Sequence, residues 1–411
     1  MKIAIVMWKL SVSGGGERQV LELANYLVHE KNDVKIYCVY LDKEACYPDL
    51  IKKFNIITLY NQKRPLGQNI ARRLFHSLIK FFFPILDPLF SKQGEEFADL
   101  VAKDFNDVDI INFHSPLCDN YIYRAAYICK KKHRVPVVWM MNDLPGNLKV
   151  PETNCKIKFS LDLIRGGPIG RYIDKRHIAQ IDQIVVLDKM NRDLVKRYIG
   201  LETEIVRSGL DLEKFKFRKR QPDKKHFKVL ATGIFLPHRR FEDLVTALNI
   251  LKKEGYRVIL NIIGSDEYNK AYAKKIVELV SMLNLEGEIN FLGVVSEEDL
   301  VSYYSNSDVF VFPNYPQTWG LAVFEAMACG TPVVVSTGCG ASEVLSDGEN
   351  ALLVSPRRPE EIAVRLKQLL NDEKLWQHLS VNGRKFVEEN ISWNLYGKKM
   401  LQLFKNVMKR R

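Results

Sequence analysis

The sequence lacks the features that mark several common classes of protein. No run reaches the 18 or so apolar residues that a membrane-spanning helix needs. The seven cysteines form no C-x-x-C pair and are odd in number, so neither a zinc ribbon nor a disulfide framework is indicated. The apolar run at the start has no small-residue cleavage site after it, which argues against a secretory signal. We therefore expect a cytoplasmic protein with reduced thiols.

Acidic side chains are also in short supply. The chain has 49 Asp and Glu against 61 Lys and Arg, which gives a net charge of +12. This balance predicts anionic partners, whether nucleic acid, membrane phosphate or a negatively charged substrate, and has no bearing on the fold.

Apolar runs alternate with amphipathic stretches along most of the chain. An apolar run at 2–8 is followed by a glycine cluster, a stretch of helical spacing and a second apolar run at 34–40. Further predicted strands lie at 109–113, 136–141 and 183–187. Such β-α-β units build parallel sheets covered by helices.

The pattern restarts after the basic stretch KFRKRQPDKKH. We predict an α/β protein of two Rossmann-like, doubly wound domains that face a central cleft, because such sheets bind ligands at the carboxyl ends of their strands. The predicted parts are an N-terminal domain (1–210), a linker (211–226), a C-terminal domain (227–390) and a final helix that packs back towards the N-terminal domain (391–411).

The most informative run is PNYPQTWGLAVFEAMACGTPVVVS, residues 313–336. A strand ends at its start, and a helix opens near Gly320, where free backbone N–H groups and the helix dipole favour an anion. Glu325 shares a helix face with Leu321, so we expect its carboxylate near the cleft.

This run resembles the C-terminal domain of the retaining, nucleotide-sugar-dependent glycosyltransferases called group 1 or family 4, which have the GT-B fold. The segment EAMACGTPVVVS matches the family motif almost letter for letter. The resemblance implies transfer of a sugar from a UDP- or GDP-sugar to a hydroxyl of a lipid-linked or polysaccharide-precursor glycan. It also implies that the first domain binds the acceptor, and that Glu325 holds the donor ribose beside Gly320 and Leu321.

One family position differs here. The first acid of the family motif is replaced by Gln317, eight residues before Glu325. The resemblance makes Gln317 a donor-binding and catalytic residue that faces the transferred sugar. Its amide can hydrogen-bond to sugar hydroxyls, but it cannot stabilise positive charge at an oxocarbenium-like centre.

Two arginines follow the first strand of the second domain. Arg239 and Arg240 precede a predicted helix, and guanidinium groups there suit a diphosphate. In the resembled family an Arg and a Lys grip the pyrophosphate. Arg239 falls at the Lys position and is our catalytic candidate, whereas Ile234 stands at the Arg position, so Arg240 is expected to supply the missing charge. A solvated surface role is the alternative for Arg239.

The first domain carries weaker matches. Gly14 and Gly15 match the family's Gly-Gly-x-Glu turn and are assigned to the donor. His114 ends the predicted strand 109–113, and the resemblance implies that it contacts the transferred sugar; a purely structural histidine is the alternative. Asp143 stands where the family has a His-Asp pair and is an acceptor-side candidate.

No metal ion or cofactor is expected. Asp107 and Asp109 spell the D-x-D of another glycosyltransferase fold, yet they precede a strand and so lie at the wrong end for the cleft. Arginines and helix dipoles can neutralise a leaving diphosphate without a metal.

A basic and aromatic segment, residues 61–92, suggests a membrane surface. It holds many Phe, Leu and Ile side chains among its basic residues, and Pro84 and Pro88 interrupt it. Such a segment suits the interface of an anionic membrane, although a core helix is the alternative. Since many members of the resembled family extend polyprenyl-linked acceptors, we expect peripheral association with the inner face of the membrane.

Two other functions compete with the glycosyltransferase. A nucleotide-sugar epimerase of GT-B fold would convert a UDP-sugar with no acceptor present. A nucleic-acid-binding protein is suggested by the charge alone, but no aromatic-basic recognition module supports it, so no nucleic acid partner is expected.

Overall fold

The structure is a computed structural model, and it describes residues 1–11, 14–58, 108–115, 122–142, 176–223, 225–316 and 319–410, together with Asp99. They form two compact units: Met1–Arg207 with Tyr396–Arg411, and Ser208–Leu395. Each unit contains one parallel sheet with helices, which confirms the prediction of two doubly wound α/β domains.

The N-terminal unit is built on a sheet of order β3-β2-β1-β4-β5-β6-β7. Its central strand β1 is an unbroken apolar run from Ile3 to Met7, all of it inaccessible to solvent, as a strand covered on both faces requires. The strands are β1 (Lys2–Leu10), β2 (Asp33–Leu41), β3 (Ile56–Thr58), β4 (Ile110–Ser115), β5 (Val137–Met141), β6 (Gln183–Val186) and β7 (Glu204–Ile205). The described helices are α1 (Gly15–His29), α2 (Pro48–Ile51), α3 (Ile122–His133) and α4 (Lys189–Tyr198).

The C-terminal unit has a sheet of order β10-β9-β8-β11-β12-β13. Its strands are β8 (Phe227–Thr232), β9 (Val258–Ile263), β10 (Ile289–Gly293), β11 (Val309–Phe312), β12 (Val333–Ser336) and β13 (Leu352–Val354). Its helices are α5 (Phe241–Lys253), α6 (Lys270–Met282), α7 (Glu297–Asn306), α8 (Leu321–Ala328), α9 (Pro359–Asn371) and α10 (Glu373–Asn390), and α11 (Trp393–Lys409) starts here.

The strand order reverses once in each sheet, between β1 and β4 and between β8 and β11. Loops that leave neighbouring strands in opposite directions open a crevice at the carboxyl ends of those strands, and open α/β sheets bind ligands there. In the C-terminal unit, the loops after β8 and β11 therefore lie where a ligand is expected.

The segment expected to be a linker packs onto the C-terminal unit instead. Arg220 Nη1 lies 2.7 Å from Asp308 Oδ1, and the guanidinium carbon lies 4.9 Å from the centre of the Trp376 ring. Asp308 is 1% exposed and also accepts hydrogen bonds from the backbone N–H groups of Asp223 and Lys228. The basic run is therefore held in place by the buried carboxylate of Asp308, which lies far from the run in sequence.

The final helix changes units along its length. Its first residues are grouped with the C-terminal unit, and Tyr396–Arg411 are grouped with the N-terminal unit. Gly397 lies so close to the ring of Tyr26 in α1 that a Cβ would overlap it. A glycine is thus needed where α11 crosses α1.

Several sequence predictions fall outside the described residues: the segment 61–92, Asp143 and Gln317. Within the described ranges, no helix combines the length and the apolar character needed to cross a membrane.

Replacing Asp308 with Ala should destabilise the C-terminal unit by about 3 to 5 kcal/mol, because the largely buried Arg220 loses its counter-charge. Urea unfolding measures this loss. Glu254→Ala removes the partner of Lys367 from an exposed ion pair and should cost below about 1 kcal/mol. Equal costs for the two variants would contradict the role given to Asp308.

Candidate functional site

Two glycines shape the carboxyl edge of the C-terminal sheet. Gly233 follows β8 with φ of 147°, and Gly264 follows β9 with φ of 156°. A Cβ on Gly264 would overlap the carbonyl of Gly233, so the two loops touch through their backbones. Only glycine allows both the conformation and the approach.

Arg239 lies against this bare edge. It ends the short 3₁₀ turn Pro237–Arg239, and its side chain is half-buried. A Cβ on Gly233 would come within 2.8 Å of Arg239 Nε. The guanidinium group therefore lies at the end of β8, where sequence analysis expected a phosphate-binding charge.

Arg240 is engaged differently. Its Nη1 lies 2.8 Å from Glu242 Oε1, while its Nε and Nη2 donate to the two carboxylate oxygens of Asp243 at 2.9 and 2.6 Å. Tyr272 also donates to Glu242, at 2.5 Å. Arg240 was expected to be the second positive charge for the diphosphate, but two carboxylates neutralise it at the start of α5. The donor role of Arg240 stays a prediction.

Helix α8 begins at the other side of this edge. Its N-cap, Gly320, has φ of 79° and no side-chain cap, so the first-turn N–H groups have no side-chain acceptor at the N-cap. Leu321, the first helical residue, is half-buried. Trp319 is 1% exposed and stacks on Phe324, with ring centres 4.7 Å apart, which fixes the start of the helix.

Glu325 has a buried partner that sequence analysis missed. The hydroxyl of Tyr304 in α7 donates to Glu325 Oε2 at 2.9 Å. Burial, followed by the nearby charge of Glu325, raises the pKa of Tyr304 well above 10, so the phenol remains a donor. No local pattern links residues 21 positions apart, and only the packing of α7 on α8 reveals the pair.

The loops after β8 and β11 are joined directly. The backbone N–H of Tyr315 donates to the carbonyl of His238 at 2.8 Å. The C-terminal unit therefore brings Arg239 and the start of α8 to one edge, as the sequence predicted for parallel strands.

The glycine turn of the N-terminal unit opens α1. Gly14 is the N-cap, and Gly15 is the first helical residue. The hydroxyl of Tyr47 donates to the carbonyl of Gly14 at 3.2 Å. Glu17, in the same turn, is 8% exposed, and burial raises the pKa of its carboxyl. The assignment of Gly14 and Gly15 to the donor stays a prediction.

His114 was predicted to end its strand, whereas the structure places it within β4, one residue before the last. Strand β4 continues through Ser115, and the imidazole is inaccessible to solvent. Its Nε2–H donates to Asn112 Oδ1 at 2.7 Å, whereas its Nδ1 has no partner within the described part of the chain. Burial lowers the pKa of His114 from 6.5 to about 3, so the ring is neutral. Contact with the transferred sugar stays a prediction.

Within the described residues, no group of three or more His, Cys, Asp or Glu side chains is placed to hold a metal ion. Five cysteines in this part of the chain are buried. Asp109, from the D-x-D sequence, accepts a hydrogen bond from the backbone N–H of Lys2 at 2.8 Å, at the amino ends of β1 and β4.

Two family models match consecutive parts of the chain. The model described as Glycosyltransferase Family 4 matches residues 13–214, and the one described as Glycosyl transferases group 1 matches residues 213–386. Together they reach from the first glycine turn to α10.

Curated relatives are similar over varying lengths. The capsular polysaccharide biosynthesis glycosyltransferase CapM of Staphylococcus aureus is 25% identical over 56% of this chain and 62% of its own length. An uncharacterised glycosyltransferase of Methanocaldococcus jannaschii is 25% identical over 97% of this chain and 95% of its own. The chain spans about half the length of the first curated relatives that it matches.

Solved structures share the fold over the whole chain. Sucrose-phosphate synthase of Thermosynechococcus elongatus has a TM-score of 0.76 at 21% identity, covering 100% of both chains. HepE of Anabaena, in complex with UDP-glucose, has a TM-score of 0.71 at 16% identity, covering 99% of this chain and 100% of its own.

His114 should make stability depend on pH. The native ring does not take up a proton above about pH 3, whereas the unfolded ring does so near pH 6.5, so stability is lost as pH falls below 6.5. Between pH 7.5 and 5.5 the wild type should lose about 1.4 kcal/mol more than His114→Gln. Urea unfolding at both pH values measures this difference. His29→Gln, at an 87% exposed side chain, is the control and should behave as the wild type; a His114→Gln profile that matches it would contradict the assignment.

Proposed function

Because the chain belongs to the glycosyltransferase group 1 family and has the GT-B fold, we propose that it is a retaining glycosyltransferase that uses a UDP- or GDP-sugar donor. The acceptor we propose is a hydroxyl of a lipid-linked or polysaccharide-precursor glycan. The proposal rests on one observation: Arg239 at the end of β8 and helix α8, which carries Glu325, lie at the same edge of the sheet.

Glu325 suits the donor ribose. A carboxylate can accept hydrogen bonds from two adjacent hydroxyls, and Tyr304 donates to Oε2 of Glu325. The bond from Tyr304 also fixes the orientation of the carboxylate before the donor arrives. Gly320 and Leu321 bring the N–H groups of the first turn of α8 towards the same ligand.

Arg239 suits the diphosphate. In the proposed reaction, the bond between the anomeric carbon and the diphosphate oxygen breaks while the acceptor oxygen bonds to that carbon from the same face. The acceptor proton passes to the departing phosphate oxygen. Arg239 stabilises the negative charge that grows on the diphosphate, and this stabilisation is strongest in the transition state. Retention of configuration rests on the family resemblance.

The remaining proposed contacts are weaker in charge. Gln317 supplies an amide for the sugar hydroxyls, and a neutral His114 can only hydrogen-bond to the transferred sugar. We propose Gly14 and Gly15 for the donor, and Asp143 for the acceptor side. The basic, aromatic segment 61–92 would bring a lipid-linked acceptor to the protein through an anionic membrane surface.

Relatives guide the choice of substrates. HepE was solved with UDP-glucose, and CapM is named for capsular polysaccharide biosynthesis. The first supports a nucleotide-sugar donor, and the second supports a polysaccharide precursor as acceptor. An incubation with UDP-sugar and no acceptor distinguishes a transferase from an epimerase, because only an epimerase would convert the donor sugar.

A thermal-shift panel of UDP- and GDP-sugars should identify the donor. At 100 times its dissociation constant, a bound ligand stabilises the protein by about 2.7 kcal/mol. Glu325→Ala should weaken donor binding about 30-fold, as expected when a charged hydrogen-bond acceptor is lost. Glu278→Ala, at an exposed carboxylate of α6, should bind as the wild type does. Unchanged donor affinity in Glu325→Ala would reject the ribose assignment.

The adjacent arginines allow a matched comparison. Arg239→Ala should lower kcat by 100-fold or more with little change in thermal stability, because the guanidinium group stabilises the charge of the transition state. Arg240→Ala should lower thermal stability, since Glu242 and Asp243 lose their partner at the start of α5. Steady-state kinetics and melting curves separate the two. A stability loss without a kinetic effect in Arg239→Ala would mark that residue as structural.

A further inference from the structure

Tyr315 connects three loops at the carboxyl edge of the C-terminal sheet. It lies in the loop between β11 and α8, and its backbone N–H donates to the carbonyl of His238, the neighbour of Arg239. Its ring meets the loops that follow β12 and β13. A single residue therefore touches the segments on both sides of the proposed diphosphate site.

The ring of Tyr315 is held from two sides. On one side lies Gly338, where a Cβ would overlap ring atom Cδ2 and would come within 2.9 Å of Pro356 Cγ. On the other, the guanidinium carbon of Arg357 lies 5.0 Å from the ring centre, at cation–π distance. Arg357 has a φ of 61°, a conformation that non-glycine residues seldom adopt.

The hydroxyl of Tyr315 takes no part in these contacts. Among the described residues, the contacts of Tyr315 are made by its ring and by its backbone N–H. The contacts therefore require an aromatic ring and not specifically a phenol.

We propose that Tyr315 is a positioning residue, which sets the distance between Arg239 and the start of α8. This inference rests on the proposed function, because it assigns to one side chain the alignment of the donor diphosphate with the transferred sugar. The ring fixes the β11–α8 loop against the loops after β12 and β13, and the N–H of the same residue fixes the Arg239 loop. Misplacing a catalytic group by about 1 Å costs up to about 100-fold in rate.

The contact geometry predicts a kinetic signature. Tyr315→Ala frees the loop and should lower kcat at least 10-fold, while KM for the donor changes less than 3-fold because Glu325 still holds the ribose. Tyr315→Phe keeps the ring and should retain kcat within 2-fold. Because Phe would also restore fold stability, the fall in kcat of Tyr315→Ala counts only if its melting temperature lies well above the assay temperature.

Gly338 supplies an independent variant. Gly338→Ala pushes the ring out of its place and should lower kcat as Tyr315→Ala does. In the double variant the clash with the ring is gone and only the lesser one with Pro356 Cγ remains, so its kcat should stay close to that of Tyr315→Ala, and the two losses should not multiply. Gly338→Ala also tests the proposal if Tyr315→Ala fails to fold.

The experiment measures kcat, donor KM and melting temperature for these four variants with the donor found in the panel. Tyr256→Ala is the control. It removes a half-buried tyrosine whose hydroxyl accepts a hydrogen bond from Asn371 at the amino edge of the same sheet, and should lower the melting temperature with kcat unchanged.

A wild type that neither binds nor turns over any nucleotide sugar rejects the proposed function, and the inference with it. A wild type that turns over its donor, with kcat unchanged in Tyr315→Ala or with multiplying losses in the double variant, rejects the inference alone.

Discussion

The contact between Gly233 and Gly264 is the constraint on which the C-terminal site depends. Two backbones touch at the ends of β8 and β9, and no side chain can stand between them. The edge of the sheet is therefore bare at the ends of β8 and β9, beside the switch in strand order between β8 and β11. Arg239 can lie along this bare edge, and any larger residue at Gly233 would meet its Nε. The position of Arg239 thus depends on the absence of side chains at Gly233 and Gly264.

The two adjacent arginines at this edge have different surroundings. Arg240 is neutralised by Glu242 and Asp243 and helps to start α5, whereas Arg239 lies at the end of β8. Arg220 is likewise used for structure, by Asp308. A net charge of +12 therefore says little about the site, because it does not show which arginines are paired with carboxylates.

Local patterns predicted the elements and the sheet edge, but not the partners across it. The alternation of apolar runs and amphipathic stretches reveals both sheets, and the motif at 313–336 correctly predicts a helix that opens at Gly320. The role of Asp308, the bond from Tyr304 to Glu325 and the burial of His114 all depend on residues distant in sequence. The end of β4 was predicted too early, because an apolar strand can continue through a polar residue such as His114 when Asn112 accepts its hydrogen bond.

The final helix gives the chain an unequal architecture. Because α11 returns to the N-terminal unit, that unit is made of two separate pieces of chain, whereas Ser208–Leu395 is one uninterrupted piece. The C-terminal unit can therefore be moved between relatives as a single segment, while the N-terminal unit can be exchanged only together with the last sixteen residues, Tyr396–Arg411. In this topology, the N-terminal unit keeps its last piece of chain against α1 only while position 397 remains a glycine beside Tyr26.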